Sequence, residues 1–262
     1  MARAAARRGV VVMTIDPPGV GGSDSPDDGY ELTPRTVAAV LDAVTIEMTA
    51  RLASGSVPDV GPVSCGPTVG VGHSAGGLLV SCQQAHHRSY DALAILGFSD
   101  TGLEQVLNDA ERAMIGRPDQ LLRALPDLVR QRFGEPLPRR PGVDLDPKPS
   151  DGITDADLAV KAADERAAGR LLGLVGLMAI VPYSMKPELD EIDVPVFAAM
   201  GEYDIAGDIG LLVGQLPACT DLTLFRLPGV GHNHNESGSR LHLWDRMLRW
   251  SEALARRVVL SG

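Results

Sequence analysis

A serine hydroxyl holds its proton at neutral pH, so it attacks a carbonyl only when a base stands within hydrogen-bond reach. That base in turn needs an acceptor that fixes its tautomer. Ser74 lies in Gly72-His73-Ser74-Ala75-Gly76-Gly77, a Gly-x-Ser-x-Gly spacing that follows a short apolar run and precedes a helical pattern. Glycines at Gly72 and Gly76 suit a sharp strand-to-helix turn that lifts the hydroxyl clear of the sheet. The first amides of the following helix, Ala75 foremost, would then point to where an oxyanion forms. A carboxylate and an imidazole follow in suitable places. Asp204 closes Met200-Gly201-Glu202-Tyr203-Asp204, and His232 closes Leu227-Pro228-Gly229-Val230-Gly231-His232.

The elements that must position these groups are legible as alternating apolar runs and amphipathic stretches. Gly9 to Ile15 is a continuous β-branched run that predicts a strand buried on both faces. Thr33-Pro34 reads as an N-cap with proline at the first helical position, followed by Val37, Val40, Leu41, Val44, Met48 and Leu52 at helical spacing. A Gly/Ser/Pro-rich connector covers 54–67. Further strands are predicted at 68–72, 90–98, 194–201 and 222–227, with a helix from the Ser74 turn to about Ala85. A C-terminal helix is predicted to bury Leu241, Trp244, Leu248 and Leu254. Strands alternating with helices predict an α/β fold: a mostly parallel sheet with helices on both faces. Ser74, Asp204 and His232 each fall just past a predicted strand, where loops of such a sheet converge on one rim.

Residues 99–187 break the alternation. They hold short helical patterns, then seven prolines between Pro118 and Pro149, then a helical pattern over 155–181 whose end, Leu171 to Val181, carries almost no charge. This predicts a helical lid inserted between a first core part, 1–98, and a second, 188–262. Such a lid favours a partly apolar substrate.

A formal net charge of −10 argues against nucleic acid or an anionic membrane surface as partner. The three cysteines, Cys65, Cys82 and Cys219, are scattered without CxxC spacing. They predict neither disulfide framework nor zinc site, and point to a reducing, cytoplasmic compartment. No apolar run of membrane-spanning length and no signal peptide is legible. No cofactor is expected, and the oligomeric state is not encoded in any recognisable pattern.

With the order Ser, Asp, His and the loop Asp16-Pro17-Pro18-Gly19-Val20-Gly21-Gly22-Ser23-Asp24, the chain resembles the α/β-hydrolase-fold serine hydrolases over nearly everything outside the lid. The resemblance implies Ser74 as nucleophile, His232 as general base and acid, Asp204 as orienting acid and the Ala75 amide as one oxyanion donor. It implies cleavage of an ester, thioester, lactone or amide of a small molecule through an acyl-enzyme. The family also places strands and a His-Gly oxyanion loop ahead of the strand that begins here at Gly9. No His-Gly dipeptide occurs in this chain. The expectation is a shortened start or a gap closed in another way, with the second oxyanion donor unassigned.

Other readings of the same residues stay open at this level. Asp208 competes with Asp204. His232 and His234 could hold a metal but lack an evident third spaced ligand. His73 is expected to be structural or pocket-lining, and His86 and His87 to be solvated at a helix end. The chain could bind a ligand or partner without turnover. Gly70-x-Gly72-x-x-x-Gly76 also suits a nicotinamide-dependent oxidoreductase, although it comes late in the chain and Tyr183 and Lys186 are three rather than four residues apart.

Overall fold

The computed structural model describes residues 1–24, 26–134 and 172–261. Its centre is a four-stranded, all-parallel sheet in the order β1 (Val69–His73), β2 (Ala92–Leu96), β3 (Val196–Gly201) and β4 (Leu222–Leu227). The mostly parallel α/β architecture read from the sequence is present. Side chains of successive residues leave a strand on opposite faces, and the core divides accordingly. Leu93, Ile95, Val196, Ala198 and Met200 point to one apolar cluster, while Ala94, Leu96, Phe197, Ala199, Phe225 and Leu227 point to another.

The larger cluster is covered by α2 (Pro34–Ser54) and α3 (Ala75–His87). Thr33 caps α2 by accepting a hydrogen bond from the Thr36 amide, Pro34 takes the first helical position, and Gly55 closes the helix at φ +71°. The smaller cluster is covered by α9 (Arg240–Ser261), against which the short N-terminal α1 (Ala2–Ala6) also packs. The residues α9 buries are Leu243, Met247, Leu248 and Leu254, whereas Leu241 is 63% exposed. Leu248 and Leu254 are thus buried as expected and Trp244 packs against the smaller cluster, while Leu243 takes the place expected of Leu241. With apolar residues at both 241 and 243, spacing alone does not decide which of them meets the sheet.

Between β2 and β3 lie α4 (Asp109–Arg112), α5 (Pro118–Phe133), α6 (Gly173–Ile180) and α7 (Lys186–Asp190). The helix predicted over 155–181 falls within the described residues only at its end. There Leu174, Val175, Leu177 and Met178 are buried in the larger cluster together with Leu121 and Leu125. That uncharged stripe is spent on packing. No helix among the described residues is long and apolar enough to cross a membrane. Between β3 and β4 sits α8 (Leu212–Gln215).

Gly9 to Ile15 is not a strand. The segment has no ladder partner, Val11 is 50% and Met13 37% exposed, and β1 pairs only with β2, which leaves Val71 38% exposed at the sheet edge. A β-branched run predicts a buried strand only if a neighbour offers it backbone hydrogen bonds, and none does so here. The segment is held from before it instead: Arg8 pairs with Glu252 at 3.1 Å and with Asp245, both on α9.

Candidate active site

Because the strands are parallel, their C-terminal ends share one rim, and the three candidate side chains rise from it. β1 runs straight into Ser74, which stands at φ +54°, ψ −121° at the head of α3. Its amide donates to the Leu96 carbonyl at 2.8 Å and its carbonyl accepts from the Gly77 amide at 2.8 Å, so the backbone on both sides is tied down. Of the two flanking glycines, only Gly72 is sterically required. A Cβ there would lie 2.1 Å from the Gly76 carbonyl oxygen, whereas one on Gly76 would meet nothing within 4 Å. The expectation that both relieve a clash is corrected to one. Ala75 is the first residue of α3, so its amide is one of the orphan donors of the first turn.

Asp204 and His232 come from the loops after the adjacent strands β3 and β4. Those loops are stitched together: the Tyr203 amide donates to the Val230 carbonyl at 2.9 Å, and Glu202 accepts from the Gly229 amide at 2.7 Å. Gly201 permits the approach, since a Cβ there would lie 2.3 Å from the Gly231 carbonyl oxygen. His232 Nδ1 is 2.7 Å from Asp204 Oδ1, and His232 Nε2 is 2.8 Å from Ser74 Oγ. Ser74, His232 and Asp204 thus form one continuous hydrogen-bonded line. Asp208 lies outside it; its carboxylate caps a turn by accepting from the Gly210 amide at 2.7 Å.

Burial pushes the Asp204 carboxyl upward, but the His232 hydrogen bond, the neighbouring His234 and the Ala206 amide outweigh it. The group is held well below the ordinary carboxylate range. An ionised Asp204 accepts a hydrogen bond from His232 Nδ1–H, which leaves Nε2 as the lone-pair acceptor facing Ser74.

Two more imidazoles crowd this line. His73 is partly buried, and that burial first, then its neighbours His234 and His232, depress it to about 4. As a neutral ring its Nε2–H donates to the His232 carbonyl oxygen at 2.9 Å. His234 is fully buried, with Nδ1 3.6 Å from Asp204 Oδ2 and, among the described residues, neither ring nitrogen in a hydrogen bond. Both rings pass over the end of β2 because Gly97, at φ +58°, carries no side chain. A Cβ there would lie 3.1 Å from His234 Cε1 and from His73 Nε2. The sequence led to the expectation that His73 is structural or pocket-lining, which its bond to the His232 backbone fits, but it gave Gly97 no task. The only local signal for Gly97 was a glycine inside the strand expected over 90–98.

Elsewhere the Asp16–Asp24 loop is bonded to itself. Asp16 accepts from the Gly22 amide at 2.9 Å, and the Ser23 hydroxyl donates to the Asp16 carbonyl at 2.6 Å. His86 and His87 are exposed at the helix end as expected, and each also lies beside a carboxylate: His86 Nε2 is 3.2 Å from Glu188 and His87 Nδ1 3.7 Å from Asp42.

A sequence model described as the alpha/beta hydrolase family matches residues 1–256. No curated protein sequence matches the chain. Among solved structures, a bromoperoxidase from Bacillus anthracis is similar at 17% identity and a TM-score of 0.59, over 94% of this chain and 83% of that one. A thermostable carboxyl esterase from Bacillus coagulans follows at 18% and 0.57, over 92% and 79%. An esterase from Exiguobacterium antarcticum stands at 15% and 0.55, over 97% and 84%. At these identities the shared property is the fold.

Proposed function

Because this chain belongs to the alpha/beta hydrolase family, we propose that it is a serine hydrolase cleaving an ester-type bond (ester, thioester, lactone or amide) of a small molecule. The observation that carries the reading is the line Ser74 Oγ, His232, Asp204, with links of 2.8 and 2.7 Å.

In this reading the Ser74 hydroxyl gives its proton to His232 Nε2 as Oγ bonds to the substrate's carbonyl carbon. The carbonyl electrons move onto oxygen, where the Ala75 amide at the α3 N-terminus stabilises the charge. The tetrahedral centre collapses, and the departing alcohol, thiol or amine takes the proton from His232. Water then repeats the sequence in reverse and frees Ser74. Asp204 keeps its charge throughout, which stabilises the imidazolium and holds the ring in one orientation. Residues 99–187 would act as the lid over this rim.

The test is labelling by a fluorophosphonate probe together with hydrolysis of short p-nitrophenyl esters. The reading expects a covalent adduct that Ser74→Ala and His232→Ala each abolish. It also expects a rate that falls on acidification, since the base must be neutral to accept a proton. A folded wild-type chain that neither labels nor hydrolyses would instead be a member of the family that binds without turnover.

A further inference from the structure

Away from the triad, α3 and α7 meet at a corner that holds a thiol, an imidazole and a carboxylate. Cys82 and His86 stand one turn apart on α3, and Glu188 faces them from α7. One ligand atom from each of the three lies within 4.8 Å of the others. Cys82 is 1% and Glu188 2% exposed. The carboxylate is only half used. Its Oε1 accepts from Arg35 Nη2 and lies beside His86 Nε2, both at 3.2 Å, while Oε2 is buried with no hydrogen-bond partner among the described residues. Leaving a buried carboxylate oxygen without a donor is costly.

We infer that Cys82, His86 and Glu188 form a zinc site that staples the nucleophile-bearing helix α3 to α7. Sulfur, imidazole nitrogen and carboxylate oxygen are the three donor types of tetrahedral Zn²⁺, and a water completes the shell from the partly exposed His86 side. Ligand atoms of such a shell stand roughly 3.3–3.8 Å apart, so each side chain moves by no more than about an ångström. On binding, the Sγ–H proton leaves to solvent as the Sγ–Zn bond forms, His86 contributes a neutral ring nitrogen, and no oxidation state changes. Glu188 Oε2 gains the cation it lacks. Oε1 keeps Arg35, the outer hydrogen bond that a ligating carboxylate commonly has. The metal charge is cancelled by thiolate and carboxylate, and the Arg35 side chain, 51% exposed, keeps its own charge in contact with water. The set was invisible in the sequence because His86 and Glu188 are 102 residues apart and only Cys82 and His86 share helical spacing. Soft thiolate with imidazole favours Zn²⁺ over Mg²⁺ or Ca²⁺.

The test strips the full chain with a chelator, then titrates it with ZnCl₂ against a chromogenic competitor and, separately, with CoCl₂. One equivalent of zinc is expected, with cobalt giving a thiolate-to-metal charge-transfer absorption. Cys82→Ser abolishes that absorption, while Cys65→Ser leaves it intact. His86→Gln, at a partly exposed side chain, keeps the fold by circular dichroism and weakens zinc at least about tenfold. It therefore decides the matter even if Cys82→Ser fails to fold. Absence of the charge-transfer band in folded wild type overturns the site. So does zinc affinity unchanged in His86→Gln, which would place the ion elsewhere, such as at His232 and His234.

Discussion

The ring of His73 hydrogen-bonds the backbone of His232 at 2.9 Å, so the residue preceding Ser74 holds the loop that carries His232. The two rings lie 4.9 Å apart, centroid to centroid. Because the partly buried His73 ring is held neutral, this link persists at neutral pH. His73→Phe keeps an aromatic ring, slightly larger than imidazole, and removes the donor to the His232 carbonyl. The expected result is a kcat lower by roughly ten- to a hundredfold, with KM changed far less, since a misplaced base slows chemistry more than binding. Steady-state hydrolysis of a p-nitrophenyl ester checks it, and an unchanged kcat would remove His73 from the positioning of His232.

Ser74 holds a backbone conformation, φ +54° with ψ −121°, that favours glycine. Ser74→Ala and Ser74→Gly both delete the hydroxyl and its bond to His232, and they differ only by a Cβ at that strained position. Ser74→Gly is expected to be the more stable of the two by about 1 kcal/mol, although glycine is normally the less stabilising residue. Denaturant unfolding of the pair measures the difference directly. Equal stabilities would mean that the elbow relaxes once the hydroxyl is gone.

Gly72 and Gly76 flank Ser74 symmetrically in sequence but not in space. A methyl at Gly72 would sit 2.1 Å from a backbone oxygen, which cannot rotate away. Gly72→Ala is therefore expected to cost at least about 3 kcal/mol or to prevent folding. Gly76 is helical and faces open space, so Gly76→Ala gains roughly 0.5–1 kcal/mol of helix propensity. Thermal melts of the two variants should shift in opposite directions.

This asymmetry illustrates what could be read in advance and what could not. Ser74, Asp204 and His232 were legible because each is a distinctive residue placed just after an apolar run, and parallel strands bring such positions to one rim. Gly97 and the task of His73 were not, because each acts across β2 on a residue more than a hundred positions away. Val10 to Ile15 reads as a strand by composition, yet ladder formation depends on a partner that composition does not report. For α9, period alone did not separate Leu241 from Leu243. The lesson is consistent: local pattern announces an element, while tertiary approach decides what it touches.

Asp100 provides a test that does not depend on catalysis. It is 4% exposed, and its Oδ1 accepts from the Met185 amide at 2.9 Å and faces the Ser184 hydroxyl at 3.4 Å. Burial first, with the Glu188 charge adding to it, raises the carboxyl to about 7 despite those hydrogen bonds. Between about pH 4 and pH 7 the folded chain keeps a proton that the unfolded chain has released. The protein therefore loses stability through this group as pH rises across that window, by up to on the order of 4 kcal/mol. His73 slopes the other way, because a depressed imidazole loses its contribution as pH falls from about 6.5 towards 4. Asp100→Asn isolates the first effect, since it retains an oxygen acceptor for Met185 and cannot ionise. Relative to wild type, the variant should gain stability progressively from pH 4 to pH 7 and level off above. Parallel unfolding curves at every pH would show that Asp100 titrates alike in the folded and unfolded chain.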